Sequence, residues 1–547
     1  MRTRFRPVPA SACCALALFL AVPLGAQRPA PDLRNEAVVV GSDAERYLRV
    51  LQVAGAAPLY PWSIRGFSPA EVDRLLPDTA AHPWRDRLPS ADSAPGTLRV
   101  RGVRPQAGLT YNSAFPQGTN DGALWTGRGL TAAVSAGVEV RVGSALSLRV
   151  EPLAFWSQNR SFPLLVDGRP DSLRFTDPYS PGGIDLPQRF GDGSFVRVDP
   201  GQSTLRLDGR GFAAGVSTAN QQWGTAVDQP LLLGPTAAGF PHAFLGTSTP
   251  WNVGLGRLHG RVVWGSLGQS AYSEVRGHGS RRLMTGVVGV FLPARLTGLE
   301  LGVARFFHEP WPEGGVAAAD LTRPLESFYK GNLGGRDEPG GPPGVENQLA
   351  MGFFRWTLPA SRFEVYGEFL REDHNYDLED LILEPDRSSG YLLGGRKVWG
   401  RDGVLRTVRA EWVNTTPSHL KRGAHQGLPY HHSSTRQGHT VHGQLLGSPA
   451  AYGGGGSVVA LEAFTPRGRW SVDWTRARIS APRRTSPRGA PLTHSGWNVV
   501  HSLGGEVVAF RGRLDLVARV RGSWELNRHY ADDAFNLNAS LGVRVGL

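Results

Sequence analysis

The chain has 547 residues, with 59 Lys and Arg against 47 Asp and Glu, a formal net charge of +12 and a mean hydropathy of −0.24. A hydrophobic content of 40% with 19% charged residues excludes a wholly disordered chain, and the lack of an apolar run of ~18 residues excludes several membrane-spanning helices. Both cysteines, Cys13 and Cys14, lie near the N-terminus, so thiol chemistry and disulfides are excluded from the rest of the chain.

The N-terminus has the pattern of a secretory signal over residues 1–26. Three early arginines precede an apolar stretch at 10–22, and small residues at 24–26 offer a cleavage site. The apolar stretch is too short to span a bilayer, so we expect a cleaved signal and an exported chain. The basic excess suits anionic partners such as acidic polysaccharide or lipid phosphate, and export argues against nucleic acid as a partner.

Helical patterns are confined to residues 27–97. Ser42 and Glu45 have the spacing of a capping box, and apolar positions follow up to a stop at Gly55. A second start of the same kind begins at Ser68, with a proline at the first helical position. The sequence therefore predicts a small N-terminal helical segment in the periplasm. Because two short helices bury little surface, we expect them to dock on something larger.

From about residue 98 onward the apolar residues recur with a period of two. The stretch 134–150 alternates on both sides of a turn at 143–145, which predicts a β-hairpin with one apolar and one polar face. The same alternation returns at 363–369, 470–474, 514–520 and 535–547. A soluble β-sandwich also alternates, but its chain seldom continues in this way for ~450 residues without a domain break.

The connectors between these strands favour an outer-membrane β-barrel. Short turns, such as 143–145 and 359–362, occur beside long loops rich in Gly, Pro and charge, such as 309–347 and 417–456. Tryptophans near strand ends fit the aromatic girdles of such a barrel: Trp156, Trp264, Trp311, Trp356, Trp399, Trp412, Trp470 and Trp524. The sequence predicts an all-β transmembrane barrel of about 18 antiparallel strands, with an even count from ~16 to ~20 equally defensible, over residues 98–547 in a bacterial outer membrane.

The prediction of an outer-membrane barrel implies two partners. One is outer-membrane lipid, and the other is the barrel insertion machinery, which usually reads an aromatic last residue. This chain ends on Leu547, although the alternation that precedes it is intact.

Signatures of catalysis and of nucleotide binding are absent from the sequence. There is no H-E-x-x-H, G-x-S-x-G or G-x-x-x-x-G-K-[ST], and the glycines at 254–260 miss the dinucleotide-binding spacing by one residue. We therefore expect no catalytic residue and no cofactor. A barrel-borne hydrolase with a Ser–His pair stays open as an alternative, because nothing in the spacing selects or rejects such a pair.

A run of acidic residues copies part of the ligand spacing of a calcium loop, and its members are Asp373, Asn375, Asp377 and Glu384. Leu378 stands where that loop needs glycine, and the sequence before it alternates like a strand. Solvated loop residues are the preferred interpretation, and bound calcium is the weaker one.

One long connector carries five histidines: His425, His431, His432, His439 and His442. Several imidazoles close together could bind a transition metal, but the carboxylates or cysteines that normally complete such a site are missing nearby. Structural or glycan-contacting histidines are therefore the preferred interpretation.

Several segments together resemble one family. Residues 220–224, with the sequence Asn-Gln-Gln-Trp-Gly, resemble the N-x-x-W-G stretch of the capsule assembly Wzi family of outer-membrane proteins. Further segments similar to that family follow in order at 231–234, 240–242, 384–386, 391–394, 430–432 and 438–447. This chain departs from the family at Thr225, where members often carry proline, and at His439, where they often carry an aromatic residue. The resemblance implies an 18-stranded outer-membrane barrel that is closed toward the periplasm by the N-terminal helices and helps to assemble or hold surface polysaccharide.

The leading hypothesis is a non-enzymatic barrel that binds capsular polysaccharide or exopolysaccharide through its long loops. Cationic and aromatic side chains can pair with uronate or phosphate groups and stack on sugar rings, and the loop candidates are Arg323, Lys330, Arg336, Lys421, Arg422 and Tyr430. A second set lies in the family-like segments and is expected to shape the lumen or a plug: Asn220, Trp223, Gly224, His431, His432 and His439. A porin-like channel for solutes or carbohydrate is the second hypothesis.

Overall fold

The computed structural model describes residues 37–77, 82–87, 98–118, 120–165, 168–179, 183–326, 346–372, 377–386, 388–401, 403–416, 429–432, 434–451, 453–479 and 497–546. The predicted signal at 1–26 lies outside these residues, as does Leu547. In the part of the chain that is described, no helix has the length and apolar character needed to cross a membrane.

The structure consists mainly of strands with a few short helices. The helices are α1 (Asp43–Ala54), α2 (Pro69–Leu75), α3 (Ala318–Thr322) and α4 (Leu378–Leu383). The first strands are β1 (Ile64–Arg65), β2 (Leu98–Asn112), β3 (Gly129–Val142), β4 (Leu146–Val150), β5 (Leu153–Ser157), β6 (Phe195–Asp199), β7 (Thr204–Gly209), β8 (Phe212–Ser217), β9 (Gln222–Trp223), β10 (His242–Thr247), β11 (Trp251–Asn252) and β12 (Gly256–Leu267). They are followed by β13 (Arg282–Pro293), β14 (Leu299–Pro310), β15 (Asn347–Leu358), β16 (Phe363–Glu372), β17 (Ser389–Arg401), β18 (Val404–Asn414), β19 (Thr440–Val441), β20 (Gln444–Leu445), β21 (Gly455–Thr465), β22 (Gly468–Ile479), β23 (Asn498–Arg511), β24 (Leu514–Arg528) and β25 (Asp532–Val545).

The strands form one closed antiparallel barrel. The pairs β4–β5, β6–β7 and β10–β11 are each halves of one interrupted strand, so that the barrel has 18 strands, as predicted. The ring closes where β2 pairs with β25, with Leu109 opposite Leu541. Full closure removes the free edges that an open sheet of this size would expose. Two small sheets, β1–β9 and β19–β20, lie apart from the barrel.

The two faces of the barrel wall differ in polarity, as the alternation predicts. The outer face is apolar, and large exposed side chains such as Val303 (61% exposed) and Leu541 (66% exposed) point away from the lumen. Exposed aromatic residues lie near both ends of the strands: Tyr391, Trp412, Trp474 and Trp524 at one end, and Trp356, Phe363, Trp399 and Trp470 at the other. An apolar outer band between two aromatic girdles is the pattern of a barrel that spans a membrane.

The two ends of the barrel differ in their connections. We call one the termini end, because the first barrel strand starts there and the last one finishes there; its turns, such as those after β3 and β23, are short. The opposite, or loop, end carries the long connections, including those after β5, β14 and β18. One of the long connections, residues 218–241 between β8 and β10, turns into the lumen instead of outward, and we call it the inner segment.

The predicted N-terminal helices are confirmed. The Ser42 hydroxyl accepts a hydrogen bond from the Glu45 N–H at the start of α1, which ends at Gly55 in the left-handed conformation (φ +73°). The start of α2 has a complete capping box between Ser68 and Glu71. Apolar side chains of this segment pack against the barrel residues Val398 and Phe464. The described residues of 37–87 form a plug inside the barrel, which we call the N-terminal plug.

Candidate functional site in the lumen

The N-terminal plug and the inner segment meet inside the lumen and pair with each other. Strand β1 of the plug pairs with β9 of the inner segment, with Ile64 opposite Trp223. The Trp223 indole is fully buried, its N–H donates to Gln221 Oε1 at 3.2 Å, and its ring meets Phe306 edge-on. One segment therefore reaches the middle of the lumen from each end of the barrel.

Two inward-facing glutamates of the wall hold the inner segment. The Glu368 carboxylate accepts hydrogen bonds from the backbone N–H groups of Thr225 (2.6 Å), Ala226 (2.7 Å) and Leu231 (3.2 Å). On the neighbouring part of the segment, the Glu411 carboxylate accepts from three further backbone N–H groups, those of residues 227–229. Six backbone N–H groups of the inner segment therefore find their acceptors on two side chains of the wall, and these contacts fix the backbone of the segment.

Gly224 lies at the point where the inner segment approaches Glu368. Its φ of +105° is a conformation that L side chains rarely adopt, and a Cβ atom there would overlap Glu368 Oε1 and lie 2.9 Å from Met351 Cε. The neighbouring Asn220 donates from its side chain to the Ala237 carbonyl at 2.8 Å, across the inner segment. Asn220, Trp223 and Gly224 therefore all lie where the inner segment packs inside the barrel.

The N-terminal plug is held by charged side chains of the wall. The Arg49 guanidinium bonds the Glu364 carboxylate at 3.1 and 3.2 Å and the Thr225 carbonyl at 2.8 Å, and so connects helix, wall and inner segment. The Asp43 carboxylate accepts from Arg469 at 2.6 Å and from Arg544. Burial raises the pKa of Asp43, but the two guanidinium groups outweigh burial and hold that pKa well below its usual range.

The part of the histidine-containing connector that the structure describes also packs inside the barrel, while His425 falls outside the described residues. We call its described residues, 429–432 and 434–451, the histidine segment. The Tyr430 side chain is fully buried, its hydroxyl donates to the Leu231 carbonyl, and its N–H donates to Glu372 at 2.6 Å. His439 is fully buried with its Nε2 2.5 Å from the Leu232 carbonyl, and burial lowers its pKa to about 4. The segment therefore packs directly on the inner segment.

The other residues predicted as sites have varied positions. His431 and His432 are half-buried, and His432 Nδ1 lies 2.8 Å from the Ser434 hydroxyl. The buried Tyr430 has no ring face open to a sugar in this conformation. Arg323 lies on the outer wall, where its guanidinium bonds Glu309 at 2.9 and 3.1 Å. The remaining loop candidates, Lys330, Arg336, Lys421 and Arg422, fall outside the described residues.

The calcium candidate is only partly covered by the structure. Asp373 and Asn375 fall outside the described residues. Asp377 comes directly before α4, and Glu384 follows it, with its backbone carbonyl accepting from Arg371 at 2.9 Å. Within the ranges that the structure describes, no group of three or more His, Cys, Asp or Glu side chains is placed to hold a metal ion.

A polar cavity of about 250 Å³ remains in the lumen beside the plug. It extends from the N-terminal plug to the loop end of β2 and β22, and its charged lining residues are Arg46, Arg65, Asp121, Asp228, Arg409, Glu462, Asp473, Glu506, Arg519 and Arg521. Arg519 is 43% exposed, and Arg521 bonds both oxygens of Asp473 at 2.8 and 2.9 Å. We call this space the lumen cavity; its charged and hydroxyl groups can hydrogen-bond a polar ligand.

Sequence patterns missed the residues that hold the plug together. The wall residues Glu364 and Glu368 were predicted only as polar positions of the alternating stretch 363–369, and Glu411 and Arg49 were not singled out. The sequence did contain a usable signal. Ionisable residues recur at the strand positions that face the lumen, and such residues can bond a segment that fills it. Their partners lie up to 315 residues away in the sequence, as for Arg49 and Glu364, so spacing could not pair them.

Among solved structures, this chain is similar to Wzi of Escherichia coli, an outer membrane protein involved in group 1 capsule assembly and a carbohydrate-binding β-barrel. The TM-score is 0.60 at 14% identity, and the match covers 94% of this chain and 100% of that chain. OccK2 (OpdF) of Pseudomonas aeruginosa gives a TM-score of 0.40 at 10% identity, covering 82% of this chain and 96% of that chain. No protein-family model matches the sequence, and neither does any curated protein. The likeness to Wzi shows the fold, an 18-stranded barrel of the outer-membrane type.

Proposed function

We propose that this protein is a non-enzymatic outer-membrane barrel that binds capsular polysaccharide or exopolysaccharide at its loop end and so anchors or helps to assemble it on the cell surface. One observation carries the proposal: the lumen is occupied by two segments that enter from opposite ends and pair through β1 and β9. A diffusion channel needs an open path at this point, whereas a binding protein needs only a rigid surface.

The lumen cavity is the part of the described molecule best suited to hold sugar units. Arg519 and Arg521 can offer paired N–H donors to a uronate or phosphate group, and Asp121 can accept from sugar hydroxyls. The four loop cations Lys330, Arg336, Lys421 and Arg422 stay part of the proposal as contacts for the polymer outside the barrel. Two facts support a carbohydrate ligand: the resemblance of 220–224 and the later segments to the capsule assembly Wzi family, and the carbohydrate binding of Wzi itself.

The proposal includes a location. The chain would be exported by a signal at 1–26, inserted by the barrel insertion machinery, and embedded in outer-membrane lipid with the loop end outside. The apolar outer band between two aromatic girdles supports the membrane position.

The first test is deletion of the gene in its own host, with surface polysaccharide measured in the cell pellet and in the medium. We expect a normal total amount with a larger share in the medium. Complementation with the wild type should restore the pellet share, and complementation with a variant carrying both Arg519→Gln and Arg521→Gln should not. An unchanged partition in the deletion strain would overturn the anchoring proposal.

A carbohydrate or solute channel is the second candidate, and the lumen cavity is the observation that favours it. The cavity has a volume of about 250 Å³ and a charged lining. Because residues of the N-terminal plug form part of that lining, a movement of the plug would enlarge the cavity. Planar-bilayer recording separates the two candidates. Steady conductance of the wild-type protein would favour the channel, and a closed wild type would favour binding.

A further inference from the structure

The outer face of the barrel carries a groove of about 600 Å³ near the loop end. Its wall and floor are mostly apolar, with Leu148, Leu205, Val216, Ala243, Trp264 and Leu321 among the lining residues. This volume lies within the ~300–1,000 Å³ that is usual for pockets that hold small ligands. The groove faces the bilayer, because Leu205 (40% exposed) and Val216 (54% exposed) belong to the apolar outer band.

Two features of the chain produce the groove. First, β8 and β10 have only six residues each, because the chain between them turns into the lumen as the inner segment, and the wall is low at this point. Second, residues 311–326 fold over the outside of the wall, where the Leu321 carbonyl accepts from the Trp264 indole at 3.0 Å. The low wall and the overlying segment bound the groove on two sides.

A cation stands at the rim of the groove. Arg281 is exposed, its guanidinium carbon lies 3.8 Å from the centroid of the Trp311 ring, and its Nε donates to the Ser266 hydroxyl at 2.7 Å. These contacts hold the side chain in place and leave its other N–H groups available. Within the described residues Arg281 forms no ion pair, and the nearby Glu309 is bonded to Arg323. A fixed arginine beside an indole at membrane-interface height is a good partner for a phosphate group.

We propose that this groove binds one membrane lipid with a phosphate group, the phosphate paired with Arg281 and an acyl chain lying along the apolar floor. The charge of the rim matches phosphate, the apolar floor matches hydrocarbon, and both lie where the protein meets the bilayer. The site is separate from the lumen cavity, so it does not depend on polysaccharide binding.

The test is native mass spectrometry of the full chain in a nonionic detergent, titrated with phosphatidylglycerol or with diacylglycerol of the same chain length. We expect phosphatidylglycerol to be retained more strongly than diacylglycerol. Arg281→Gln should weaken phosphatidylglycerol binding about fivefold, since a single cation near a membrane surface contributes about that factor, and should leave diacylglycerol unaffected.

Arg476→Gln is the matched control. Arg476 also lies on the outer face near the loop end, two residues after Trp474, but it does not line the groove. An equal loss in Arg476→Gln and Arg281→Gln, or equal retention of the two lipids by the wild type, would overturn the proposal.

A larger side chain on the floor of the groove tests whether an acyl chain lies there. Ala243→Phe places a ring in the groove and should weaken binding of a lipid with sixteen-carbon chains while leaving a lipid with six-carbon chains unchanged. If that variant does not fold, the two chain lengths are compared on the wild type, where we expect the longer chain to bind more tightly. Equal binding of both lengths would contradict the proposal.

Discussion

Replacing Gly224 with alanine tests how firmly the inner segment is held. The φ of +105° costs an L residue about 1–3 kcal/mol. The added methyl group also overlaps the Glu368 carboxyl group, which must then give up at least one of its backbone hydrogen bonds, and a buried N–H group left without its acceptor costs about 1–3 kcal/mol. Together these costs destabilise the inner segment by about 3 kcal/mol or more, which is about a 100-fold change in its opening equilibrium.

Hydrogen exchange followed by mass spectrometry measures this opening directly. In Gly224→Ala, peptides from 218–241 should exchange about 100-fold faster than in the wild type, while peptides from β23 and β24 keep their protection. Gly143→Ala is the control, because Gly143 also has a positive φ (+56°) but a Cβ there meets nothing within 4 Å. Exchange of 218–241 within threefold of the wild type in Gly224→Ala would refute the reasoning.

Three further predictions concern the plug and the lumen cavity. Asp43→Asn should weaken docking of α1 at pH 7. Because the pKa of Asp43 is lowered in the folded protein, its ion pairs contribute their full stability above the ordinary pKa of 3.8 and lose it progressively as the pH falls from there toward the lowered pKa. The difference between Asp43→Asn and the wild type should therefore shrink below pH 3.8, and an equal difference at pH 3 and pH 7 would contradict this. The pKa of His439, lowered to about 4, should cost the histidine segment about 3 kcal/mol of stability as the pH falls from 6.5 to 4, seen as faster hydrogen exchange that His439→Phe abolishes. Arg519→Gln with Arg521→Gln should weaken binding of the host polysaccharide about tenfold in calorimetry, whereas Arg323→Gln should leave it within twofold, since Arg323 lies on the outer wall and does not line the lumen cavity; equal losses would contradict the assignment.

The barrel could be predicted from the sequence because the strands of its wall show the same local pattern, an alternation of apolar and polar residues. Alternation in stretches such as 134–150 and 535–547 marks the apolar outer face directly, and the turn at 143–145 marks a hairpin. The capping patterns at Ser42 and Ser68 are local too, and both helices begin where these patterns predict. Local patterns therefore sufficed for the elements and for the class of fold.

The arrangement inside the lumen could not be predicted in the same way. The inner segment has the composition of an ordinary loop, and it turns inward because Glu368 and Glu411 meet its backbone there. These carboxylates lie more than 130 residues further along the chain than their partners, as the 137 residues between Leu231 and Glu368 show. The resemblance of 220–224 to family sequences drew attention to the right segment, but the polar contacts that hold it depend on the closed barrel.

The ion pairs of Asp43 have a consequence for the order of assembly. One partner, Arg469, lies in β22, and the other, Arg544, lies in β25, which pairs with β2 to close the ring. Helix α1 thus gains both of these ion pairs only after β22 and β25 have joined the wall. Pairing over 501 residues is slow to form by chance, so docking of the helix is a late event that coincides with closure of the β2–β25 seam. The contacts that hold the helix in place therefore form fully only in a wall that has already closed.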